Sequence, residues 1–120
     1  MTWRYDQESG IITLNDKFVS AGYAGAGDGK NNPAMQDVHN VGPLPRGDYT
    51  IGEPCDTKTH GPYVLHLTPA AENEMCGRSG FLIHGDSVVH PGTASEGCII
   101  LPRPVRERIW SSGDTALTVV

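Results

Sequence analysis

The stretch GFLIHGDSVVHPGTASEGCIIL, Gly80–Leu101, decides how the chain is read. Two apolar runs, Phe81–Ile83 and Ile99–Leu101, bracket a segment of Gly, Ser, Thr, Pro and Asp that has neither a helical nor a strand period. Short apolar runs bounded by turn residues predict buried strands. His84 ends the first run and Cys98 opens the second. They are separated by fourteen positions in the chain, yet two strand ends lying side by side would bring imidazole and thiol within reach of each other.

The flanking text supports a β-rich domain. TWRY and IITL surround the turn residues DQESG, in which Gly10 can take a positive φ, and so predict a hairpin. A second turn at Asn15-Asp16 leads into KFVSAGYAG. GDYTIG (47–52) and PYVLHLTP (62–69) predict further strands, the latter with Val64, His66 and Thr68 on one face and Leu65 and Leu67 on the other. From Gly22 to Pro45 the chain is rich in Gly, Asn and Pro without any period, the mark of a long ordered loop of the functional kind. Pro102 and Pro104 open the one predicted helix, PVRERIW, Gly113 closes it, and TALTVV ends the chain as a strand. The expectation is a mainly β single domain over residues 1–120 with one short helix after the cysteine, without repeats, linker or second domain.

With 15 Gly and 9 Pro, composition favours turns over long helices. A net charge of -5 and pI near 5.4 argue against a nucleic-acid surface, because neutralising phosphates needs clustered cations and the nine here are scattered. No apolar run approaches the roughly 20 residues of a membrane helix, so no membrane span is expected. The opening MTWRYDQESG has neither a basic nor an apolar leader region, which predicts synthesis in the cytoplasm without a signal peptide. The three cysteines, Cys55, Cys76 and Cys98, cannot all pair internally.

A thiol is a weak nucleophile until it loses its proton, and a neighbouring imidazole can take that proton. This gives Cys98 and His84 complementary roles. Gly97 permits a tight turn and removes a side chain that would crowd an incoming carbonyl, and the backbone N–H groups of Gly97 and Cys98 are candidates for an oxyanion hole. Ser95 can brace the same turn. Either residue alone reads as readily as a buried small hydrophobe or a structural histidine. The joint pattern of His-Gly, a small-residue loop and Ser-x-Gly-Cys at a strand start favours chemistry.

HGD followed by SEGCIIL resembles the active-site signature of L,D-transpeptidases. With GYAGAGDGKNNP, GPLPRGDYTIG and GRSGFLIHGD, the resemblance narrows to the type VI secretion L,D-transpeptidase effector family, from about Trp3 to Trp110. It implies an L,D-transpeptidase-like β-sandwich or barrel, Cys98 as nucleophile, His84 as base and the Gly85 carbonyl as orienter of the imidazole. It also implies L,D-transpeptidase exchange and L,D-carboxypeptidase trimming of peptidoglycan stem tetrapeptides, with D-amino acids as acceptors and no metal or organic cofactor. The implied setting is an antibacterial toxin acting in the periplasm of target bacteria, with a secretion apparatus and a periplasmic immunity protein as partners. Glu96 stands where the family pattern usually has histidine, and Ile100 where Arg or Asn is common. Stem peptides carry carboxylates, which makes Arg78, and next Arg103, candidate binding residues. Tyr23 and Asn32 are placed along the peptide groove, with Ser95 and Glu96 beside the nucleophile, while Asp86 and Ser87 shape the loop.

Three alternatives bear on the same residues. His60, His66, His84, His90 and the three cysteines suffice in number for zinc, but their spacing matches no common zinc motif. In papain-like peptidases the cysteine precedes the histidine, the reverse of the order here. A non-catalytic cell-wall-binding module would have no need of both Cys98 and His84. Cys55 and Cys76 are either buried thiols or a disulfide closing a loop of about 20 residues, worth about 3 kcal/mol.

Overall fold

The computed structural model describes residues 2–120. The strands are β1 Trp3–Tyr5, β2 Ile11–Leu14, β3 Lys17–Ala21, β4 Tyr23–Ala24, β5 Gly47–Thr57, β6 Gly61–Pro69, β7 Leu82–His84, β8 Ile99–Ile100 and β9 Ala116–Val119. One helix, α1 Arg103–Ser111, lies between β8 and β9. The nine strands form one sheet in the order β3-β2-β1-β9-β5-β6-β7-β8-β4. The domain is therefore mainly β with a single helix after the cysteine, as the sequence predicts.

The sheet is not closed into a laddered barrel, but it curls. β3 and β4 are its two edges, and only Gly22 separates Ala21 from Tyr23 in the chain. Successive Cα atoms are ~3.8 Å apart, so the two edges must meet at that corner. Gly22 is needed there: a Cβ would fall 1.9 Å from the Ile100 carbonyl oxygen. The curled sheet encloses one core, in which Trp3, Tyr5, Leu65, Ile83, Ile99 and Ile109 are fully buried.

Two features differ from the sequence reading. The loop from Gly22 to Pro45 contains β4 and two single-turn 3-10 helices, Gly27–Gly29 and Pro33–Met35. β5 runs on through Pro54 to Thr57 and makes a long hairpin with β6, whose register slips between Ile51 and Pro54 and again between Cys55 and Thr57. Those irregularities accommodate a proline that cannot donate to a ladder. The three cysteines are unbridged.

β7 and β8 pair in parallel. Parallel neighbours cannot be joined by a tight turn and need a connection of about a dozen residues or more. This is the physical reason for the spacing between His84 and Cys98: the intervening loop carries the chain back to the start of an adjacent strand.

Candidate active site

In the β7–β8 pair, Ile83 is opposite Ile99 and His84 is opposite Ile100. Cys98, one residue before β8, is therefore level with Leu82. Alternation along each strand sends Leu82, His84 and Cys98 to one face, and Ile83 and Ile99 to the other. The backbones of His84 and Cys98 are offset by roughly 5 Å across the sheet and roughly 7 Å along it, with both side chains on the same face. Both residues line one groove of about 1140 Å³.

His84 is buried, and its Nδ1 lies 2.9 Å from the Gly85 carbonyl oxygen. A carbonyl can only accept, so Nδ1 carries the hydrogen and Nε2 is the lone-pair nitrogen of the neutral ring. Burial holds the imidazole below its ordinary pKa; the Gly85 bond opposes this, the charges of His60 and Arg106 reinforce it, and Asp86 opposes it. Arg106 packs against Gly85. A Cβ on Gly85 would lie 3.1 Å from the Arg106 Nη1, and this buried guanidinium donates to the carbonyls of Leu101, Tyr63 and Pro62 at 2.6, 2.9 and 3.2 Å.

The Cys98 thiol is half-buried, and burial pushes its pKa up. The Leu82 N–H opposes this, the Glu96 carboxylate adds to it, and the Arg78 charge and the Cys98 N–H oppose it. With the thiol raised and the imidazole lowered, the resting pair is neutral. Such a pair is suited to general-base transfer of the sulfur's proton to Nε2 during attack, without a standing ion pair.

The turn that presents Cys98 is braced by Ser95, as its sequence reading expects. Ser95 is buried; its hydroxyl accepts from the N–H groups of Gly25 and Gly97 at 2.9 and 3.0 Å and donates to the Cys98 carbonyl at 2.6 Å. It braces the turn and is not free for substrate. The Gly97 N–H is spent on that hydroxyl, so of the two N–H groups named as oxyanion-hole candidates only that of Cys98 is not taken by Ser95. Gly97 is required for a different reason than clearance for a carbonyl. Its φ is +146°, and a Cβ would lie 2.6 Å from the Arg78 Nη2 and 2.8 Å from the Phe81 ring.

Arg78 lines the groove, but its fork is occupied. Nη1 donates to the carbonyls of Gln36 and Pro43 at 2.7 and 2.8 Å, and Nη2 to those of Gly42 and Glu96 at 3.0 and 3.1 Å. It clamps the long loop onto the Cys98 turn and offers no free fork to a carboxylate. Arg103 lines the same groove, exposed, with Glu107 at 3.4 Å. Glu96 is exposed on the groove wall. Tyr23 and Asn32 do not line it. The Tyr23 hydroxyl donates to Asp86 at 2.6 Å and accepts from the Ala94 N–H at 2.9 Å, pinning both ends of the 85–94 loop. Asn32 caps the second 3-10 turn through the Ala34 N–H. Asp86 has the loop-shaping place expected of it, accepting from the Ser87 and Gly92 N–H groups.

The family model described as the Tlde1 domain matches residues 19–116. The chain belongs to the Tlde1 domain family. This is the type VI secretion L,D-transpeptidase effector family, and the match includes His84, Cys98 and every strand from β4 to β8. None of the curated proteins compared matches the chain. Among the described residues of this Tlde1 domain, no three His, Cys, Asp or Glu side chains converge as a metal-binding group. Among the same described residues, no helix is long and apolar enough to cross a membrane.

The sequence reading gives Arg106 no role in the groove and names His60 only as a possible zinc ligand. Arg106 carries a legible signal, since it lies three residues before Ile109 on the helix face that faces the core. His60 carries none, because its place depends on how the β5–β6 turn docks.

Proposed function

We propose that this Tlde1 domain is a cysteine acyl transferase acting on peptidoglycan stem tetrapeptides, with L,D-transpeptidase exchange and L,D-carboxypeptidase activities. One observation carries the reading: a buried imidazole whose Nδ1–H is committed to Gly85 stands on the same face as the Cys98 thiol, and both open into one groove. Family membership supports the choice of substrate class.

In this scheme the Cys98 sulfur attacks the carbonyl of the third-position diaminopimelate as its proton passes to His84 Nε2. The Cys98 N–H faces the developing oxyanion. His84 then protonates the departing D-alanine amine, leaving a thioester. A D-amino acid, the amine of another stem or water resolves the thioester, its proton returning through His84 to the sulfur. Loss of donor stems accounts for toxicity in the periplasm of a target bacterium. A secretion apparatus for delivery and an immunity protein in the producing cell's periplasm complete the proposal.

The deciding experiment incubates the protein with disaccharide-tetrapeptide and a free D-amino acid and follows products by mass spectrometry. Loss or exchange of the terminal D-alanine is expected, and Cys98→Ala should abolish it. An unchanged tetrapeptide with the parent protein would overturn the assignment.

A further inference from the structure

The groove holds a second imidazole that the chemistry above leaves unused. His60 sits at the turn between β5 and β6, and its ring centroid is 4.7 Å from that of His84, the planes tilted by 56°. Both line the groove, His60 exposed and His84 buried. The approach is built in. His60 Nδ1 is 2.9 Å from Thr59 Oγ1, and the His60 backbone N–H donates to Thr57 Oγ1 at 2.9 Å. Arg106 clamps the strand leaving this turn through the carbonyls of Pro62 and Tyr63, and packs against Gly85, whose carbonyl takes the His84 Nδ1–H. One buried guanidinium thus holds the strand that follows one imidazole and packs against the glycine that follows the other.

An outer ring held against an inner one has two consequences. Aromatic rings with centroids about 4.5–7 Å apart restrain each other's orientation. A protonated outer ring also opposes a second proton on the inner one. The charged and titratable groups acting on His84 are His60 from the turn, Arg106 from α1 and Asp86 from the following loop; Cys98 and Glu96, from the turn before β8, line the same groove. Of these, His60 and Arg106 disfavour a charged His84.

We propose that His60 is a positioning residue for the His84 base, wedging the buried ring against Gly85 so that Nε2 stays open to the groove, and that its charge sets the acid limit of the reaction. The proposal rests on reading His84 as the base for Cys98.

The test compares His60→Phe and His60→Ala in the intact domain, with thermal unfolding as a folding control. His84 titration is read by NMR of ¹⁵N-histidine-labelled protein, and tetrapeptide turnover is read against pH. His60→Phe keeps a ring and removes the charge. Its His84 midpoint rises, the acid limb moves to higher pH with it, and the plateau kcat/KM stays within about twofold of the parent. His60→Ala shows the same rise, and its plateau falls about five- to tenfold, in kcat more than in KM, because the base loses its orientation. A His84 midpoint that stays put in both variants overturns the proposal, as does a plateau in His60→Ala equal to the parent's. Should the parent leave the tetrapeptide untouched, the NMR midpoints still decide the imidazole pair, and the assignment of substrate alone falls.

Discussion

Cys98 works against part of its own setting. Burial and the Glu96 carboxylate both favour the thiol, while the Leu82 N–H and the Arg78 charge favour the thiolate. Glu96 is exposed, and its influence on a sulfur two positions along is separable from the packing of the turn, because its backbone carbonyl, not its side chain, accepts from Arg78. Glu96→Gln should therefore lower the Cys98 pKa without disturbing the clamp. A shift of about half a unit triples the thiolate fraction below the pKa. We expect alkylation of Cys98 by iodoacetamide at pH 7.5 to speed up about threefold in a background where Cys55 and Cys76 are serine. The alkaline limb of the alkylation profile should move down with it. An unchanged rate would mean that solvent screens Glu96 completely from the sulfur.

The turn from Ser95 to Cys98 depends on one hydroxyl, and its removal tests the turn as a unit. Ser95→Ala would orphan the N–H groups of Gly25 and Gly97 and weaken the tether on the Cys98 carbonyl. Buried groups left without partners cost about 1–3 kcal/mol each. We expect a loss of about 2–4 kcal/mol in urea unfolding and a fall of ten- to a hundredfold in turnover, as the sulfur loses its fixed approach. A loss below about 0.5 kcal/mol would show that water replaces the hydroxyl without penalty. The strands around this turn were legible because GFLIH and CIIL are short apolar runs with punctuation on both sides, and so was the arrival of His84 and Cys98 in neighbouring strands along one groove. The supporting shell was not. Charge marks Arg78 as a cation, but only the path of residues 36–43 turns it into a clamp on carbonyls. Tyr23 and Asn32 fall in an aperiodic segment, where no alternation indicates which side chains face the groove. Gly97 was legible as a glycine of necessity, yet the guanidinium that enforces it comes from nineteen residues away.

At the scale of the molecule, the curled sheet buries the His84 imidazole along with its core, which ties the proposed base to global stability. His84 is 3% exposed, whereas His39, His60, His66 and His90 are exposed. Its pKa is held below the ordinary value, chiefly by burial. The unfolded chain therefore takes up this proton first as pH falls below about 6.5, and stability falls until the folded form titrates too. Asp86 acts in a lower window. Burial would raise its pKa, but the Tyr23 hydroxyl, the Gly92 and Ser87 N–H groups and the Lys30 charge outweigh that and hold it below the ordinary carboxylate range. Its contribution is complete above about pH 4 and is lost only as pH falls through the folded value. Between pH 7.5 and 5.5 the buried imidazole should thus dominate, and the thermal midpoint should drop by about 4 °C for each kcal/mol lost in a domain of this size. His84→Gln, which cannot take up a proton, should start from a lower midpoint and show a much flatter dependence over the same interval. An equally steep decline in that variant would place the pH-sensitive burial elsewhere, and the neutral resting pair with it.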